Sequence, residues 1–154
     1  MKHQCILHLG MSETGASPIQ ESMFTGLENP RFLYFGFVIP NGSRGVMSLF
    51  GDSPAEYLLN KNLSLSNIQT GLYRKDMHRH LEKTTQLASA HGKNMVFSAE
   101  SAKSMNAGEL LRYRRFIEER CYSVKTITYL RPGNSGWKAF SRIGLKVEEV
   151  SCYT

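Results

Sequence analysis

The stretch Cys5-Ile6-Leu7-His8-Leu9-Gly10-Met11-Ser12-Glu13-Thr14-Gly15-Ala16-Ser17-Pro18-Ile19-Gln20 decides how the rest of the chain is read. A short apolar run, Cys5 to Leu9, stops at Gly10, and Gly15 is followed by Ala16, Ser17 and a proline suited to opening a helix. The order is strand, glycine-bounded loop, helix N-terminus. Such a junction gathers backbone N–H groups and the positive end of a helix dipole around one point, a cradle for phosphate or sulfate.

Working outward, residues 4–9 read as a buried strand and Pro18 to about Leu27 as a helix capped by Ser17. Arg31 to Ile39 is rich in aromatic and β-branched residues and reads as a second strand, broken by the turn Pro40-Asn41-Gly42-Ser43. Short helical pieces follow at Val46–Phe50 and Pro54–Asn60. Ser66 to Ala90 is the longest helical stretch, with Ile68, Leu72, Leu81, Thr84, Leu87 and Ala88 as its expected inner face and Gly92 as its stop. Its His78 and His80 stand two apart, on different sides of a helix, which speaks against a metal pair.

A third strand is expected at Asn94–Ser98, a helix at Ala107–Cys121 with Leu110, Tyr113, Ile117 and Cys121 inward, and a fourth strand at Val124–Leu130. The turn Arg131-Pro132-Gly133-Asn134 and a helix from Ser135 to about Gly144 complete the pattern, with Trp137 and Phe140 packing that helix on the sheet. Strands alternating with helices predict an α/β fold: three layers, P-loop-like, around a central, mainly parallel sheet of about four strands. Ligands of such sheets collect at the carboxyl ends of the strands. The Gly10–Ser17 loop, Asn41–Ser43, Glu100 and Arg131 all follow strand ends, so the topology brings them to one edge.

A chain of 154 residues, 41% hydrophobic and 21% charged, fits one folded domain over residues 1–154. Its net charge of +6 favours anionic ligands. Arg112, Arg114, Arg115 and Arg120 form the one basic cluster, read as a solvated helix face, and no nucleic-acid-binding signature accompanies it. Cys5, Cys121 and Cys152 are dispersed and odd in number, which predicts reduced thiols, no structural zinc and a reducing compartment. The N-terminal apolar run is too short for a signal peptide or membrane span, so the default is cytoplasmic.

The spacing Gly10-x-x-x-x-Gly15 is that of a P-loop, yet Ala16-Ser17 stand where a P-loop has Lys-[Ser/Thr], and Glu13 is the charge inside the loop. That disfavours a kinase or NTPase. Four pieces in order resemble the bacterial sulfotransferase family instead, P-loop-related enzymes that use 3′-phosphoadenosine-5′-phosphosulfate. Leu7–Gln20 resembles the family's 5′-phosphosulfate loop, and Pro40-Asn41-Gly42-Ser43 a Pro-Asn-His-Ser segment of some members. Val96-Phe97-Ser98-Ala99-Glu100 resembles a strand-ending Ser-x-Glu, and Ile127–Pro132 the strand that leads to an arginine on the 3′-phosphate. The match spans most of this chain but the amino-terminal part of a typical member, which implies a domain truncated at its carboxyl end.

The resemblance implies that Ser12, Thr14, Gly15, Ala16, Ser17 and Arg131 hold the nucleotide co-substrate, with no metal. Glu100 is then the candidate catalytic base toward a hydroxyl acceptor such as a carbohydrate, and Asn41 and Ser43 are candidate acceptor contacts. Turn, cap and helix-start chemistry gives each of these residues an alternative structural role. The sequence departs from the family where its loop lysine falls on Glu13, a second 3′-phosphate ligand on Ala139, and the histidine of Asn-His-Ser on Gly42. Two functions remain: sulfuryl transfer to a hydroxyl, or a catalytically silent relative that binds a nucleotide weakly or docks a protein partner over its truncated edge. Lys138 is a cation that could replace the missing lysine.

Overall fold

The computed structural model describes residues 3–9, 16–26, 29–35, 39–129 and 147–150. Strands β1 (His3–Leu9), β2 (Phe32–Phe35), β3 (Asn94–Ser98) and β4 (Cys121–Tyr129) pair in parallel in the order β2-β3-β1-β4. A further strand, β5 (Val147–Val150), adds in parallel to β4 at the edge. The expected α/β architecture with a parallel sheet is what the chain forms. β5 went unread, because Val-Glu-Glu-Val offers two apolar residues and no alternation.

Helix α1 (Ala16–Gly26) connects β1 to β2, and α2 (Ser43–Phe50), α3 (Leu58–Asn62) and α4 (Asn67–Ala90) lie between β2 and β3. Helix α5 (Ala107–Arg120) returns to β4. Right-handed crossovers put a helix on one sheet face when the chain steps one way along the sheet and on the other when it steps back. The step β1 to β2 runs opposite to the steps β2 to β3 and β3 to β4, so α1 lies alone against α2, α4 and α5. The core reflects this. Cys5, Leu7 and Leu9 of β1 join Phe35, Val46, Leu49, Met77, Leu81, Leu110, Tyr113 and Ile117 in one buried cluster. Ile6 and His8, one residue out of phase, face Ile19 and Met23 of α1.

Several boundaries differ from the sequence reading. Helix α1 begins at Ala16, so Ser17 and Pro18 sit inside its first turn, where the missing proline N–H costs no intrahelical bond. Helix α5 ends at Arg120, and Cys121 opens β4 instead of closing the helix. The inner face of α4 is also corrected: Thr70, Met77, Leu81 and Ala88 are buried, whereas Ile68, Leu72 and Leu87 are 78%, 56% and 50% exposed. A helix of 24 residues with few apolar positions carries two competing stripes, and contact with α2 and the sheet selects one. Its start is fixed locally by a capping box between Ser66 and Gln69, and Gly92 (φ 61°) takes the left-handed conformation just past its end.

The expectation of reduced thiols is overturned for two of the three. Cys5 and Cys121 are joined in a disulfide with Cα atoms 5.9 Å apart. Their 116-residue separation suggests distance, but β1 and β4 are neighbouring strands that both start at this end of the sheet. The thiol argument for a reducing compartment falls with it. Cys5 remains the small core residue expected, with no exposed surface. Among the described residues no helix is long and apolar enough to cross a membrane.

Three of the four arginines of the basic cluster on α5 are tied down internally. Arg112 donates to the Phe50 carbonyl at the end of α2 and pairs with Asp52, Arg114 pairs with Glu118, and Arg120 pairs with Glu82 while stacking on Phe116. With Arg74 donating to the Leu49 carbonyl, two cations cover the negative end of the α2 dipole.

Candidate active site

Ser98 ends β3 beside the end of β1, and the turn that follows is stitched to both neighbours. Ala99 N–H donates to the His8 carbonyl at 3.1 Å, and Gly42 N–H donates to the Ser98 carbonyl at 2.9 Å. The entrance to α2 is thereby held against the carboxyl end of β3. Asn41 forms an Asx turn, its Oδ1 accepting from Ser43 N–H at 2.9 Å, which leaves its amide N–H groups aimed outward. That amide faces Glu100 Oε2 at 3.4 Å. Ser43 Oγ accepts from Ser101 N–H at 2.9 Å, fixing the 3-10 turn Glu100–Ser104 on which the carboxylate rides.

Both Asn41 and Glu100 line a cleft of about 730 Å³, together with Tyr57, Ser101, Lys103 and Ser104. Tyr57 and Ser101 share a hydrogen bond of 2.6 Å across it. The size is that of sites which take small organic ligands, roughly 300–1,000 Å³. Asn41 and Glu100 thus come together at one opening. Ser43 is 1% exposed, and its hydroxyl serves the backbone of the Glu100 turn. Ser17 is exposed in the first turn of α1, and Ala16 opens that helix. Ser12, Glu13, Thr14, Gly15 and Arg131 lie outside the described residues, as do Lys138, Ala139 and the expected helix at 135–144.

The sequence reading missed a buried polar network beneath this edge. Ser98 Oγ lies 2.7 Å from His8 Nδ1 and 2.9 Å from Gln20 Nε2, and it also bonds the Tyr34 hydroxyl. Tyr34 gives its one proton to the Pro40 carbonyl at 2.5 Å, which can only accept. Gln20 Nε2–H donates to Ser98 Oγ, and His8 Nδ1 lies within hydrogen-bond distance of the same oxygen. The network joins one residue each from β1, α1, β2 and β3. A polar residue inside each apolar strand, His8 in Ile-Leu-His-Leu and Ser98 after Val-Phe, was the available signal.

Burial lowers the His8 pKa from its ordinary 6.5, and the nearby Glu100 charge opposes this in part. Burial likewise pushes the Tyr34 hydroxyl up to about 12, against the Ser98 hydrogen bond. A group whose folded pKa is depressed contributes stability above its unfolded value and loses it as pH falls through the folded one. The unfolding midpoint in urea therefore falls as pH drops below 6.5. A His8→Asn variant, whose amide keeps a hydrogen-bonding group toward Ser98, shows a shallower fall; equal slopes in both proteins would remove His8 as the cause.

The chain matches no protein-family model and none of the curated proteins. Among the described residues no group of three or more His, Cys, Asp or Glu side chains could hold a metal ion.

Proposed function

We propose that the protein transfers a sulfuryl group from 3′-phosphoadenosine-5′-phosphosulfate to a hydroxyl of an acceptor seated in the cleft. The observation that carries this reading is the placement of Glu100. Its carboxylate stands at the opening of the cleft, beside the carboxyl end of β1, where the glycine-bounded segment leads to α1. The order β2-β3-β1-β4 puts that junction in the middle of a parallel sheet, the usual location of an anion cradle in such folds. The four sequence pieces that resemble bacterial sulfotransferases supply the reaction class.

In the proposed reaction Glu100 accepts the acceptor's hydroxyl proton as the acceptor oxygen bonds sulfur. The bond between sulfur and the bridging phosphate oxygen breaks in line, and 3′-phosphoadenosine-5′-phosphate departs. Asn41 turns one carboxylate oxygen toward itself and leaves the other for the hydroxyl. In this reading residues 12–17, with the α1 N-terminus, bind the nucleotide's sulfuryl and phosphate oxygens. Glu13, in place of a lysine, makes this chain's hold on the nucleotide weak.

A second reading, a silent relative that docks a protein partner, draws on a different observation. Leu58, Leu63, Ile68 and Leu72 on and around α3 and the start of α4 are each more than half exposed. Transfer of labelled sulfate separates the two. At saturating nucleotide the intact protein is expected to label a hydroxyl acceptor, and Glu100→Gln to lower the rate about 10²-fold with the fold retained. No transfer at any nucleotide concentration would leave the docking reading in place.

A further inference from the structure

A net charge of +6 leads one to expect anionic ligands, yet the cleft is lined the other way. Asp52, Glu56, Glu100 and Glu109 face it, and Lys103 is the lining cation among the described residues. Three of the four carboxylates are already answered. Asp52 pairs with Arg112 and accepts from Asn106, and these two hold its carboxyl below the usual range. Glu56 pairs with Lys61 at 2.7 Å. Glu109 accepts from the backbone N–H groups of Asp52 and Asn106, at 2.8 and 2.7 Å.

Glu100 differs. Its contact is the neutral Asn41 amide at 3.4 Å, and among the described residues it forms no ion pair. A partly buried carboxylate without a cation attracts a positive group and repels a negative one at close range. Around it the cleft offers the ring of Tyr57, the apolar Leu58 and Leu59, and the hydroxyls of Ser101 and Ser104. Apolar surface interleaved with hydroxyls suits a ligand that carries C–H faces and hydroxyls together.

We propose that the cleft selects a polyhydroxyl acceptor by charge, taking a cationic, amine-bearing one best and a neutral one next, and discriminating against an anionic one through Glu100. This inference rests on the acceptor reading of the same site. Three disaccharides of one shape test it: deacetylated chitobiose (cationic), cellobiose (neutral) and cellobiouronic acid (anionic). Calorimetry or ligand-observed NMR on the intact protein without nucleotide is expected to rank them in that order, with about tenfold between successive members. Glu100→Gln collapses the ranking. Raising salt from about 50 mM to about 0.5 M erodes the preference for the amine in the unmodified protein, a readout that does not depend on the variant folding. Tighter binding of the uronate, a ranking that survives Glu100→Gln, or no binding of any of the three overturns the proposal. Because no nucleotide is present, a correct ranking without sulfate transfer would count against the proposed reaction alone, and transfer with a reversed ranking against the charge selection alone.

Discussion

Reducing the Cys5–Cys121 disulfide is expected to lower the free energy of unfolding by about 5 kcal/mol. The bridge closes a loop across a separation of 116 residues, and in the chain-entropy account a loop of roughly 100 residues contributes about 4.7 kcal/mol by restricting the unfolded chain. Reduction leaves both sulfurs in a fully buried part of the core, so little packing is lost and the effect lies in the unfolded state. For a domain of this length each kcal/mol moves the thermal midpoint by roughly 2–4 °C, which places the expected fall between about 10 and 20 °C. Cys5→Ala combined with Cys121→Ala should fall at least as far, since it adds the loss of buried side-chain contact. The measurement is a thermal scan with and without a phosphine reductant, beside a thiol count under denaturing conditions. Three titratable thiols before reduction, with a midpoint that the reductant does not move, would refute the bridge.

Glu13→Lys is expected to tighten binding of 3′-phosphoadenosine-5′-phosphate about 10³-fold. Two unit charges about 4 Å apart interact by roughly 4 kcal/mol at an effective dielectric near 20. Replacing the glutamate removes one repulsion of that size and adds one attraction of similar size. Halved for solvent access, the swing is about 4 kcal/mol, close to three decades in affinity. Calorimetry on the intact chain and on the variant reads it directly. Micromolar binding by the unmodified protein, unchanged in Glu13→Lys, would show that residue 13 does not face the anion, and the loop reading would have to be abandoned. Recovery by the lysine would show that the cradle persists and that one side chain sets its strength.

The alternation of strand and helix was legible because each signal is local. Asn94–Ser98 is a bounded apolar run, and Leu110, Tyr113 and Ile117 keep a helical period. Glu100 and Asn41 could be singled out because both follow strand ends, and a parallel sheet collects its strand ends at one edge. The inner face of α4 was misread for the opposite reason. Ile68 and Leu72 are as apolar as Met77 and Leu81, and nothing local says which pair α2 and the sheet will cover.

The sequence by itself therefore determined the parallel α/β plan, the order of its elements as far as β4 and the approach of Asn41 and Glu100, since periodicity and strand-end position depend on neighbours within a few residues. Tertiary structure decided what depends on contacts between residues far apart in the chain. It paired Cys5 with Cys121 across adjacent strands, assembled His8, Gln20, Tyr34 and Ser98 from four elements, and gave cations or N–H donors to Asp52, Glu56 and Glu109 while leaving Glu100 without a cation among the described residues. A side chain's charge is written in the sequence, but whether that charge is neutralised depends on what the fold sets beside it.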